Sequence, residues 1–571
     1  MDKRAWFLAA VSGGLQVLIF PIPDLYWLCW VAFVPLLVAI LRARPAEVGV
    51  ATSWGVQSRL PAGPGQAFLL GWLSGAIWYA GSCYWILYTM HVYGGLPVPA
   101  AAGVLVLFCL YLGAHTGVFT LLLALAASWG KPRTAVRRAL VLAPFAWVAI
   151  ELGRSRITGF AWDLLGTTQV SNIPLTRLAT VTGVYGLSFE IMLVNTAFAA
   201  GFLVRRSGRH WLLGAALFAA AALQLSVFVQ PPPWPADRTA RLLQPDIPIE
   251  QSWSSERFQR TLAELEQNSL LDPNVPTMDA SGSLLPSPAE SGGAGADLIV
   301  WPESPAPFYV NDALFRSTIS QMAVQAHAFA IVGAVGLKEP AGGKLEAPQI
   351  LNSAALVNPD GVWIARYDKI HLVPFGEYVP FQKLFSFAHQ LTREVGEFVP
   401  GTERKVFPLD HYTAGTFICY ESTFPGEVRQ FAARGAEVFV NISNDGWYGH
   451  TAAPFQHLNQ ARMRAIENRR WLLRDTNSGI TAAIDPYGRV VAKAPRDVRT
   501  ALTAPFAPIA GTTFYARYGD WFAWLCVIIC AGSIGVGMWV FHPSKPKPGS
   551  HPSEPKSGSP GARSRKQRKG I

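Results

Sequence analysis

Charge is scarce in this chain. Only 15% of its 571 residues are Asp, Glu, Lys or Arg, against roughly a quarter in an ordinary soluble domain. Half the residues are hydrophobic and 20 are Trp, which points to a membrane protein. Cysteine is scarce too. Five of the six (Cys29, Cys83, Cys109, Cys526 and Cys530) lie in long apolar stretches, leaving Cys419 alone in the large polar part. An extracytoplasmic domain usually pairs its cysteines. This one has nothing to pair, which excludes a disulfide framework and leaves a thiol that is either buried and inert or reactive. The polar part also lacks a basic excess: residues 237–517 hold 25 Lys and Arg against 29 Asp and Glu, although the whole chain carries +11. A duplex-binding face is therefore excluded, and no nucleic-acid partner is expected. Finally, no small-residue cleavage site follows the first apolar stretch, so it reads as an uncleaved helix.

A helix needs about 20 apolar residues to cross roughly 30 Å of hydrocarbon. Such stretches lie at roughly 5–20, 25–42, 66–89, 97–128, 137–152, 184–204, 211–229 and 518–541. Basic residues set their direction. Arg42 and Arg44, then Lys131 to Arg138, then Arg205 to Arg209, and the basic tail all fall on one side if the N-terminus is cytoplasmic. Both termini are then inside and the large polar segment is outside. The organisation expected is a seven-helix membrane domain (1–229), a Pro-rich linker (230–236), a polar domain (237–505), an eighth span (518–541) and a disordered basic tail (542–571). No repeat symmetry or mid-span charge cluster supports a transporter.

Within the polar domain short apolar runs alternate with helical patterns, as in an α/β fold. Strand-like runs are 240–243, 297–301, 328–335, 353–357, 361–367, 415–419, 437–442 and 479–484, and helical patterns cover 254–267, 313–325, 424–434 and 455–470. Asn358-Pro-Asp-Gly361 and Asp485-Pro-Tyr-Gly488 are turns between strands. The Pro-, Ser- and Gly-rich stretch 272–296 reads as a surface insertion.

Three strand ends carry chemistry. Cys419 closes an apolar run, Glu303 ends Leu298-Ile-Val-Trp-Pro-Glu303, and Lys369 lies in Tyr367-Asp-Lys-Ile-His371. A thiol of ordinary pKa near ~8.5 is mostly protonated at neutral pH and needs a base. A carboxylate can take its proton and an ammonium can stabilise an oxyanion, so acyl transfer is the leading chemistry. His450 and His457 have no accompanying Cys or carboxylate spacing that would suggest a metal.

The segments Trp-Pro-Glu303, then Tyr-Asp-Lys369 through Glu377-Tyr-Val-Pro, then Ile-Cys419-Tyr420-Glu421 resemble, in that order, the nitrilase (carbon–nitrogen hydrolase) superfamily. Set between membrane helices, they resemble the apolipoprotein N-acyltransferase family over about residues 1–541. The resemblance implies an αββα sandwich, with Glu303 as base, Lys369 as oxyanion stabiliser, Cys419 as nucleophile and Glu377 as a second carboxylate. It marks Tyr420 and Glu421 as the residues following the nucleophile. Trp253 would lie on a mobile arm, and Asn444 and Trp447 on a loop beside the site, although both tryptophans also fit a core role. Thr158-Gly-Phe-Ala-Trp162 and Gly166 resemble a family loop that usually has Pro where Ala161 stands. Phe381 and Phe385 recur at helical spacing, as a core-facing helix or as an arm dipping into the bilayer. Glu151 and Glu190, near span ends, are functional candidates or carboxylates reaching interfacial water.

The activity implied is transfer of an acyl chain from a membrane phospholipid, through a Cys thioester, to the α-amino group of a diacylglyceryl-cysteine at the start of a lipoprotein. No cofactor or metal is expected. The chain reads as a monomer in a bacterial inner membrane, with its catalytic domain on the periplasmic side. A membrane-anchored amidase acting on a small amide would use the same three residues.

Overall fold

The computed structural model describes residues 3–52, 55–129, 134–203, 206–249, 252–270, 295–338, 348–378 and 398–541. Phe381 and Phe385, the basic tail and nearly all of the 272–296 insertion lie outside the described residues.

The N-terminal part is a helical unit, closed by the helix Trp521–Phe541 that follows the polar domain. Among the described residues four helices are long and apolar enough to cross a membrane: Val98–Ser128, Val184–Leu203, Gly208–Phe228 and Trp521–Val540. The other apolar stretches are more broken than the sequence suggests. The second splits into a 3-10 turn, Tyr26–Trp30, and a helix, Val34–Leu41, with Pro35 in its first turn. The third ends at Ser82, and the chain resumes as the helix Trp85–Val92. The fifth, Ala135–Ile157, carries Arg137, Arg138, Glu151, Arg154 and Arg156. A hairpin of β1 (Arg44–Thr52) and β2 (Gly55–Leu60) has no apolar run to announce it.

Packing in this unit relies on small residues. Lipid gives helices no hydrophobic reason to associate, so close backbone approach matters more than in water. Pro64–Ser82 and Val98–Ser128 meet at Gly71, Gly75 and Gly113. A Cβ on Gly113 would come within 2.7 Å of the Ala76 backbone nitrogen. Thr120 Oγ1 closes the contact by donating to the Ala67 carbonyl at 2.7 Å.

The polar domain is two stacked six-stranded sheets. The first contains β3 (Arg238–Gln244), β4 (Leu298–Val300), β5 (Phe329–Lys338), β6 (Gln349–Val357) and β7 (Trp363–Asp368). The second contains β8 (Val406–Leu409), β9 (Tyr412–Ile418), β10 (Val438–Ser443), β11 (Leu472–Thr476), β12 (Ala482–Ile484) and β13 (Val490–Lys493). β14 (Thr500–Phe506) returns to pair with β3, giving the orders β14-β3-β4-β5-β6-β7 and β13-β12-β11-β10-β9-β8. β3-β4-β5 and β9-β10-β11 are parallel.

Alternation along the strands builds the layers. Leu242, Leu298, Val300 and Ile331 pack between the sheets with Phe417, Val440 and Leu472. Their neighbours Leu243, Ile299, Trp301 and Val332 face the opposite way, onto Leu262, Phe315 and Ile319 of the helices Ser255–Leu270 and Ala313–Ala326. The second sheet is backed by Pro425–Ala433 and Ala453–Asn468.

The two units join at one end of the sandwich. Tyr93 OH donates to the Gly446 carbonyl at 2.9 Å, Thr89 Oγ1 to the Trp447 carbonyl at 3.0 Å, and the Ala452 N–H to Tyr84 OH at 3.1 Å. Gln456 accepts from Trp162 Nε1 at 2.8 Å and donates to the carbonyls of Pro21 at 2.9 Å and Ser82 at 3.0 Å.

Candidate active site

Cys419 follows directly on β9 and opens a short 3-10 turn, Cys419–Thr423. Its φ is +52° and it is 5% exposed. A side-chain-bearing residue in that left-handed region costs on the order of 1–2 kcal/mol, so the surroundings must hold it. Glu421 does much of the holding. Its carboxylate accepts from the Ile418 N–H at 2.8 Å, the Ile370 N–H at 2.7 Å, the His371 N–H at 3.1 Å and Tyr367 OH at 2.7 Å. It therefore fastens the end of β9 to the end of β7, where Lys369 stands.

Lys369 is 1% exposed, and its backbone N–H donates to the Asn352 carbonyl of β6 at 2.8 Å. Its ammonium donates to Glu303 Oε1 at 2.9 Å and to Glu377 Oε1 at 3.1 Å. Burial opposes this charge, but the carboxylates of Glu303 and Glu377 outweigh it and hold the ammonium well above its usual range. Asn352 Nδ2 spans the same two carboxylates, at 2.8 Å from Glu303 Oε1 and 2.7 Å from Glu377 Oε1. The remaining oxygens are also taken: Glu303 Oε2 accepts from the Asn444 N–H at 2.9 Å and Glu377 Oε2 from the Val373 N–H at 2.7 Å. Each carboxylate is thus fixed in orientation as well as in place.

Burial pushes the Cys419 thiol up, Glu303 adds to that, and Lys369 opposes it; the thiol ends well above its ordinary range. The group is a neutral thiol at neutral pH, beside a carboxylate that can take its proton and an ammonium with one N–H beyond the two already spent. This set can form and stabilise a tetrahedral acyl adduct.

Glu303, Lys369, Glu377 and Cys419 thus come together. Tyr420 points to the helical unit, donating from its hydroxyl to the Gly159 carbonyl at 2.7 Å. Asn444 meets the site through its backbone, while its side chain accepts from Asn477 Nδ2 at 3.2 Å. Trp447 lies edge-on to Tyr93 at 5.2 Å, in the joint between the units. Trp253 packs against the cluster containing Trp301 and Phe308, with Arg257 5.1 Å above its ring. Glu151 is buried and accepts from the Leu165 N–H at 2.7 Å, which anchors the loop after Trp162; it does not reach for interfacial water. Asn352 and Tyr367 were not anticipated. Asn352, with Ser353 beside it, puts polar side chains between the apolar pairs Ile350-Leu351 and Ala354-Ala355 of β6, and that interruption is the signal that could have flagged Asn352.

Two family models match the chain: "Apolipoprotein N-acyltransferase N-terminal domain" over residues 12–197 and "Carbon-nitrogen hydrolase" over residues 227–508. The chain is similar to the apolipoprotein N-acyltransferase of Geobacter metallireducens, 34% identical over 92% of this chain and 94% of that one. It is similar to the enzyme of the same name from Methylococcus capsulatus, 32% identical over 84% of this chain and 88% of that one. A solved nitrilase-superfamily amidase, Nesterenkonia AN1 amidase, aligns with 50% of this chain and 95% of its own at 20% identity, with a TM-score of 0.35. With a full-length relative at this identity and both halves matched in order, the chain belongs to the apolipoprotein N-acyltransferase family.

Proposed function

We propose that this acyltransferase N-acylates lipoproteins in two steps on Cys419. In the first, Sγ attacks the ester carbonyl of a phospholipid while Glu303 takes the thiol proton, and Lys369 Nζ donates to the oxyanion. Collapse breaks the C–O bond, the leaving alkoxide regains the proton from Glu303, and a lysophospholipid departs from a thioester. In the second, the α-amino group of a diacylglyceryl-cysteine attacks the thioester. Glu303 takes the amine proton and returns it to the departing Sγ, leaving an amide and a free thiol. Glu377 and Asn352 hold Lys369 and Glu303 in register throughout.

The observation that carries this reading is the Lys369 ammonium shared by Glu303 and Glu377 beside a buried thiol, at the end of the sandwich that meets the helical unit. Both substrates are lipids held in the bilayer, so a site kept at its surface meets them at high effective concentration. The relatives' names favour this over a soluble-amide hydrolase.

Eight crossings, cytoplasmic termini and a periplasmic sandwich complete the reading. Support comes from the ends of the helices. Pro21, Ser82, Tyr93 and Gly159 touch the sandwich, whereas Arg42, Arg137 and Arg138 lie at the opposite ends of their helices.

Two variants test the proton path. Glu303→Gln should lower thioester formation at least about 10²-fold, the lower end of what a positioned base contributes. Raising the pH to 9 should not restore it, because burial still pushes the Cys419 thiol up when the charge of Glu303 is gone; recovery at pH 9 would remove Glu303 as the base. Asn352→Leu should cost about 10²-fold in thioester formation while lipid affinity holds, the loss expected of a small misplacement of Lys369.

A further inference from the structure

His457 takes no part in these two steps, yet it touches the backbone of Cys419 itself. It lies on the helix Ala453–Asn468 and is fully buried. Its Nε2 is 3.0 Å from the Cys419 carbonyl oxygen. A carbonyl only accepts, so Nε2 carries the proton and donates. Burial favours the neutral ring, so Nδ1 carries a lone pair: it accepts from Arg474 Nη2 at 3.0 Å, and Asp445 Oδ1 lies 2.9 Å away, held there by the same guanidinium. Asp445 is itself fixed, accepting from Arg474 Nη2 at 2.8 Å and from Ser443 Oγ at 2.9 Å. The Trp162 ring, from the helical unit, packs 5.5 Å from the imidazole.

Such fixing has a purpose where the nucleophile is strained. Cys419 sits at φ +52°, and a peptide unit is planar. Holding the Cys419 carbonyl therefore sets the plane of the Cys419–Tyr420 peptide, and with it the direction in which Cβ and Sγ leave the backbone. We propose that His457, braced by Asp445 and Arg474, is a positioning residue that aims the Cys419 thiol for acyl transfer. Through the Trp162 ring the helical unit supports the same device. The inference rests on Cys419 being the nucleophile.

Two substitutions separate this role from mere core filling. The side-chain nitrogen of His457→Gln reaches the place of Nε2 and can still donate to the carbonyl. That of His457→Asn reaches only the place of Nδ1. In full-length protein reconstituted with phospholipid, single-turnover thioester formation should fall about 10²-fold in His457→Asn, the loss that a misplacement of about 1 Å brings. His457→Gln should keep at least about a tenth of the parent rate, and the half-saturating phospholipid concentration should stay within about twofold for both. Equal rates for the two variants, or a slower His457→Gln, would overturn the proposal. Alkylation of Cys419 by iodoacetamide, followed by peptide mass, reads the same geometry without an acyl donor and should be slower in His457→Asn than in His457→Gln. A parent protein that forms no thioester would sink the two-step reading, while the alkylation order would still decide the role of His457.

Discussion

Replacing Cys419 with alanine abolishes acyl transfer on this account and leaves the fold intact. In sites whose groups act as a unit, losing the nucleophile costs up to about 10⁶ in rate. No second thiol stands in the sandwich, since the other five cysteines lie in the helical unit or its closing helix. The fold survives because alanine is smaller than cysteine and tolerates the left-handed backbone no worse. Glu421 also still ties Ile418 to Ile370. The change in stability should stay within about 1 kcal/mol. Transfer within about tenfold of the parent rate would reject Cys419 as nucleophile.

Replacing Lys369 with methionine should be almost as damaging to activity and far more damaging to stability. Methionine keeps the length and loses the charge, so Glu303 and Glu377 remain beside each other with only Asn352 between them. Removing one partner of a buried ion pair typically costs about 3–5 kcal/mol. Activity should fall at least about 10²–10³-fold, the price of one oxyanion donor. Lys369→Arg should not rescue it, because a planar fork does not replace a point charge between two carboxylates. Thermal unfolding and single-turnover acylation of the two variants check both halves; a Lys369→Met protein of parent stability would mean that the ammonium is not what neutralises the pair.

The residues of this site were legible in the sequence to the extent that they stand at strand ends. Glu303 and Cys419 each follow an apolar run, where a polar group interrupts the pattern visibly, whereas Lys369 follows Arg366-Tyr-Asp368 and is marked by its motif rather than by hydropathy. Their supports were not legible. Asn352 lies inside β6, and its meaning depends on two carboxylates 49 and 25 residues away in the chain. His457 in the sequence is one polar residue on a helix, and only the fold brings it to the Cys419 carbonyl. β11 was missed for a related reason. Arg474 and Asp475 sit in the middle of that strand, fully buried, where a hydropathy pattern expects apolar residues. The helical unit was legible as long apolar runs but not in its breaks. The turn at Cys83 and the 3-10 segment Tyr26–Trp30 fall inside continuous apolar sequence, where composition gives no warning.

The most direct test of the central claim is intact-mass spectrometry of the purified protein incubated with phospholipid and no acceptor. One added acyl mass should appear, mapped to Cys419, lost with hydroxylamine and discharged by a diacylated lipopeptide. No adduct under conditions where the same preparation hydrolyses a soluble amide would contradict it.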